Sequence, residues 1–314
     1  MGAGAQASKP PRTGQEKSVL AGDDGALRAG TAWPVPRFTD KGDGTVLDSL
    51  TGLVWQKQPS SAKRTWANAL GYCRDLSLGG SKDWRLPNVG ELSSLCDKSA
   101  SLVADRLNGS GFGGILAQDY WTSTTYAPNT GHAWNVGMDD GEVYHAHKGA
   151  SAAVWAVRGD GNTAQTGQEK SYASGDDGSL KKGIAWPSPR FTDNGDGTVT
   201  DGLTGLLWEQ KPSTKTLAWE DAVSYCARLS VGGRGDWRLP NFTELQSLMN
   251  AGVLAPARWL VKEGFDDLLN GFYWSSTTYA PNPINAWAAG MDSGSLSGTS
   301  KSHASYVWAV RGGR

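Results

Sequence analysis

In the stretch TWANALGYCRDLSLGG, the apolar residues Trp66, Ala69, Leu70, Cys73 and Leu76 recur at helical spacing, and Gly79-Gly80 closes the run. That pattern predicts an amphipathic helix with a glycine stop. A second helix is expected in RLPNVGELSSL: Pro87 bars helix upstream, Asn88 is placed to cap it, and Glu91 at the third helical position completes a capping box. RLPNFTELQSL repeats the device with Pro240, Asn241 and Glu244. Apolar and polar residues alternate instead in PRFTD and GTVTD, which flank NGDG and read as two short strands joined by a tight turn. GLTG is a further turn before the strand LLWEQ. YWTSTTY, HAWNVGMDDGEVY and AAVWAVRG are β-like segments between turns. Strands, two helices and an irregular β-rich second half predict an α+β domain.

The chain writes this pattern twice. Adding 153 carries TGQEKS at Thr13 onto Thr166, DWRLPN at Asp83 onto Asp236, and VWAVRG at Val154 onto Val307, with no gap. A period this long exceeds that of a solenoid repeat, so each copy is expected to hold its own core. The expected division is a short leader at 1–12, domains at 13–160 and 166–314, and a polar linker at 161–165. Seven tryptophan positions of the first copy, Trp33 to Trp155, recur in the second, and only Trp259 lacks a counterpart. Residues kept by both copies are expected in the core.

Composition adds exclusions. With 42 glycines, 14 prolines, 38% apolar residues and a mean hydropathy of −0.44, the chain reads as soluble and loop-rich, and its 15 tryptophans argue against disorder. A net charge of −1 and a pI near 6.4, without basic clusters, favour neither nucleic acid nor an anionic membrane. No apolar run is long enough to span a bilayer, and MGAGAQASKPPR lacks the apolar core of a signal peptide. Cys73 and Cys226 are equivalent between copies, whereas Cys96 is matched by Met249. Buried thiols are the expectation, with a Cys73–Cys96 bridge left open.

Taken in order, RFTDNGDGTVTDGLTGLLW, YCARLSVGGRGDWRLPNFTEL, YWSSTTYA and the closing WAVRGG resemble the DUF1566 family, also called the Lcl C-terminal domain after a collagen-like adhesin. The resemblance covers nearly all of both copies. It implies a tandem duplication of a C-type-lectin-like domain, similar to formylglycine-generating enzymes and to the variable proteins of diversity-generating retroelements. It further implies a bacterial or phage module exposed at the cell surface or outside the cell. It does not name a ligand, because this fold hosts sugar binders, protein binders and enzymes alike.

Asp40, Asp43 and Asp48, with Asp193, Asp196 and Asp201, lie around the acidic, glycine-rich turns; their spacing departs from an EF-hand loop and suits a hairpin turn, with calcium as the alternative. The repeated GDDG at Gly22 and Gly175 poses the same choice. Calcium-dependent lectins of this fold pair Glu-Pro-Asn with Trp-Asn-Asp, but here Ala127-Pro128-Asn129 and Trp134-Asn135-Val136 lack both carboxylates. The later cysteine pair of formylglycine-generating enzymes is missing from both copies, and no catalytic set repeats, so no enzyme activity and no required cofactor are expected. His145 and His147 share a strand face and, with Asp140 or Glu142, offer a weaker metal option.

The copies diverge most where GEVYHAHKGASAA becomes GSLSGTSKSHASY. A retained scaffold with changing side chains is the pattern of a binding surface. Candidate ligand contacts are therefore Asn135, Asp140, Glu142, Tyr144, His145, His147 and Lys148 in the first copy. In the second they are Asn285, Ser293, Ser295, Ser297, Thr299, Lys301 and His303. The expected function is non-enzymatic recognition or adhesion toward a glycan or protein ligand, with a self-assembling surface-layer or fibre subunit as the alternative.

Overall fold

The opening hairpin forms where glycine and alternation place it. In the computed structural model, which describes residues 8–313, Phe38–Asp40 pairs antiparallel with Thr45–Asp48, which pairs with Val54–Gln56, which pairs with Val157–Arg158. The second copy repeats this four-stranded sheet with Phe191–Asp193, Thr198–Asp201, Leu207–Glu209 and Val310–Arg311. Gly42 and Gly44 sit at φ 75° and 84°, a region open to glycine at no steric cost. Between them the Asp40 and Asp43 carboxylates accept the N–H groups of Gly42 and Thr45.

The helices follow the sequence with one adjustment. Trp66–Asp75 buries Trp66, Ala69, Leu70 and Cys73, and Trp219–Arg228 does the same with Trp219, Ala222, Val223 and Cys226. The first ends at Asp75, ahead of the double glycine, because Leu76 turns extended and its N–H bonds the Cys73 carbonyl. Gly79-Gly80 instead form the tight turn between Leu78 and Ser81. Both capping boxes are present, at Val89–Ser94 and Phe242–Ser247. All three cysteines are free and buried, so the bridge between Cys73 and Cys96 is not made.

A second, five-stranded layer follows the order Ser60–Arg64, Ala152–Val154, Asp119–Thr125, His132–Gly137, Val143–His147. Its equivalent runs Ser213–Leu217, Ser305–Val307, Phe272–Thr278, Asn285–Gly290, Leu296–Ser300. Only the Asp119–Thr125/Ala152–Val154 contact and its equivalent are parallel. The helix Trp66–Asp75 packs on this layer with Trp66, Trp84, Trp121 and Val154 in one core. Indole N–H groups tie the layers: Trp66 donates to the Thr122 carbonyl, Trp121 to Arg64 and Trp155 to Gln56, and Trp219, Trp274 and Trp308 repeat all three bonds. Six of the seven repeated tryptophan positions are buried in both copies, while Trp33 and Trp186 are half-buried beneath Arg37 and Arg190. Each copy is α+β, and the fold is a tandem duplication.

The compact units are offset from the expected division at 13–160 and 166–314. One unit comprises Trp33–Ala185 with Asn250–Val253; the other joins the segment ending at Ala32 to Trp186–Met249 and Leu254–Arg314. The stretch TGQEKS…GDDG upstream of each copy is therefore built into the other copy's unit, as a closing segment. In one unit Thr13 and Thr277 donate to Asp24 at 2.5 and 2.8 Å, and Gln15 exchanges two bonds with the Thr278 backbone. In the other, Thr166 and Thr124 donate to Asp177 at 2.6 and 2.7 Å, and Gln168 exchanges two with Thr125. A gap-free repeat fixes the period and leaves the starting point of the folded unit undetermined.

Candidate functional site

The acidic turns are built from protein contacts. Asp48 is fully buried in a two-point pair with Arg37 at 3.0 and 2.9 Å and also accepts from Thr51, and Asp201 repeats this with Arg190 and Thr204. Asp40 takes Lys57 at 2.6 Å, and Asp43 takes the Thr45 hydroxyl; these bonds hold both carboxyls below their usual range. Asp193 caps Gly195, and Asp196 takes Thr198 and Arg234. These contacts make the six carboxylates turn and core anchors, and among the described residues no group of three or more His, Cys, Asp or Glu is arranged to hold a metal ion. GDDG starts a helical turn: Asp23 caps Asp24–Leu27 and Asp176 caps Asp177–Leu180. Adding calcium or a chelator should leave the melting temperature unchanged. A calcium-dependent rise of several degrees, abolished by Asp196→Ala, would contradict this assignment.

Strand pairing sorts the divergent segment onto two faces. His132 lies opposite His147, and Trp134 opposite His145, so these four share one face. The His132 and His145 Nδ1 atoms meet at 3.1 Å, and Tyr126 stacks on His145 with ring centroids 3.7 Å apart. Trp134 stands edge-on to both Tyr126 and His145. His147 is exposed, its Nδ1 accepting from the Gly149 N–H, and its ring stands edge-on to His132. Partial burial and the neighbouring His132 push the His145 pKa below that of a free imidazole, favouring the neutral ring at pH 7. Tyr126 and Trp134 are buried beneath the three imidazoles, so the accessible part of this face is His132, His145 and His147, which can donate and accept.

Tyr144 and Lys148 do not join this surface. They fall on the opposite face, toward the helix Trp66–Asp75, where Tyr144 donates to Asp119 and Lys148 sits 3.9 Å over the Trp66 ring while bonding Thr125. Lys301 repeats that arrangement over Trp219 with Thr278. These two candidate contacts are thus packed cations in both copies, and they belong to the shared framework rather than to the divergent residues. Asn135 is buried, which removes it from the candidate surface. Asp140 accepts from the Glu142 N–H within a turn, where the second copy has a Ser293–Ser295 hydroxyl pair.

In the second copy the same backbone carries a different surface. Tyr279 and Trp287 are kept, but His132, His145 and His147 are replaced by Asn285, Gly298 and Ser300. A Cβ at Gly298 would come within 2.8 Å of the Tyr279 ring, which occupies the space above the strand. Ser297 and Thr299 face the helix side with Lys301, and His303 is exposed in the turn that follows. Sequence reasoning missed His132, Tyr126 and Trp134. The signal available was the loss of His132 to Asn285, on a strand whose partner was not yet known.

No helix among the described residues is long and apolar enough to cross a membrane. No curated protein matches the chain. The model of the Lcl C-terminal domain family matches residues 44–158 and again 197–311, the same two copies in the same register. The chain therefore belongs to the Lcl C-terminal domain family and carries that domain twice in tandem.

Proposed function

We propose that the protein is a non-enzymatic recognition protein of the cell surface or extracellular space, binding a glycan or protein ligand through the His132/His145/His147 face. One observation carries this: three of the chain's four histidines converge on one sheet face, and all three are absent from a second copy that keeps the surrounding tyrosine and tryptophan. Side chains that change together over a retained backbone fit a surface tuned to a partner, and imidazoles that donate and accept suit polar ligands. A C-type-lectin-like architecture is the fold that accompanies this proposal. No catalytic role is assigned to the imidazoles.

Glycan and protein arrays probed with the intact chain test it. The comparison is a variant carrying the second copy's residues, His132→Asn, His145→Gly and His147→Ser. Wild-type signals should weaken by about tenfold or more in the variant, while melting shifts little, because these side chains are partly exposed and contribute little to folding. Signals unaffected by the exchange, or no ligand on either array, would overturn the proposal.

A further inference from the structure

We propose that the closing segment, residues 8–32, also docks into a second copy of this chain, so that chains trade segments and link head to tail. In both units the acceptor reads its segment through one set of groups: a threonine and an aspartate paired to a strand threonine, and a glutamine in two bonds with the next residue's backbone. Asn241 donates to the Ala29 carbonyl and Asn88 to that of Lys182. The segment itself is tightly folded, a Cβ on Gly25 lying 2.2 Å from the Lys17 carbonyl oxygen and one on Gly178 2.1 Å from that of Lys170, so it can dock as a preformed loop. Both segments fall outside the two stretches matched by the family.

Because residues 8–32 are covalently continuous with the first copy while completing the unit of the second, their docking rests on non-covalent contacts that a neighbouring chain supplies in identical form. Exchange conserves every one of these bonds, as in domain swapping. What separates the closed monomer from linked chains is then effective concentration, which for a tethered segment is in the millimolar range. Linked species are accordingly favoured at high protein concentration, once the segment has been loosened.

The test incubates the full chain at about millimolar concentration just below its first melting transition, cools it, and separates the products by size exclusion with light scattering. The expected result is a ladder at multiples of 33.3 kDa. An excess of a labelled peptide spanning residues 8–32 should collapse that ladder and be taken up by the chain. A peptide carrying Gln15→Ala and Asp24→Ala should do neither. A monomer under all conditions with no uptake of the labelled peptide, or a ladder indifferent to it, would overturn the proposal.

Discussion

Replacing Glu91 by alanine is expected to lower the stability of the unit containing the first copy by roughly 3–5 kcal/mol, the usual cost of leaving a buried charge without its partner. The Glu91 carboxylate is fully buried and takes two bonds from Arg85, both at 2.6 Å, and a third from the Asn88 N–H at 2.8 Å. Arg85 also donates to the Gly159 carbonyl, so one side chain ties the capping box to the end of the domain. Removing the carboxylate strands a buried guanidinium and leaves the Asn88 N–H without its acceptor, opening half of the capping box. Glu91→Gln, which keeps an acceptor but loses the charge, should fall between wild type and alanine. Urea denaturation checks this, and a loss below about 1 kcal/mol for the alanine variant would place the pair outside the framework. Arg238 and Glu244 repeat the arrangement, so Glu244→Ala should act on the other unit alone.

The second large effect depends on pH. Glu209 is buried where the first copy has Gln56, and its carboxylate accepts a long bond from the Ala309 N–H at 3.4 Å. Burial without a cation raises its pKa from 4.5 to about 7. The folded state therefore holds the proton more tightly than the unfolded chain does. The associated stability is fully present below pH 4.5 and is lost as the pH rises through about 7. Glu209→Gln should leave stability at pH 4 unchanged and raise it at pH 8 by roughly 2–3 kcal/mol. Thermal melts of both proteins at the two pH values decide the matter; an equal effect at both would show that the carboxyl does not titrate in this way.

What the sequence disclosed was local. The Trp66–Asp75 helix, the Asn88–Glu91 capping box and the Asp40–Thr45 turn depend on residues a few positions apart, and each formed as expected. The divergence after Trp134 drew attention to His145 and His147, but the face they share depends on register as well. Pairing Trp134 with His145 is a non-local fact, and it sends Tyr144 to the other face while bringing in His132 and Tyr126. Lys148, named as a candidate ligand contact, recurs as Lys301, a repetition that marks the framework. The offset of the folded units was invisible for a similar reason: contacts such as Asp24–Thr277 join residues far apart in a repeat whose phase is arbitrary.

The most direct measurement is the ligand stoichiometry of the intact chain. Calorimetric titration with an array-selected ligand should give one site per wild-type chain, on the face bearing His132, His145 and His147, and none in the variant carrying Asn, Gly and Ser at those positions. Two equivalent sites per chain, or undiminished binding by that variant, would contradict a recognition surface built on these histidines.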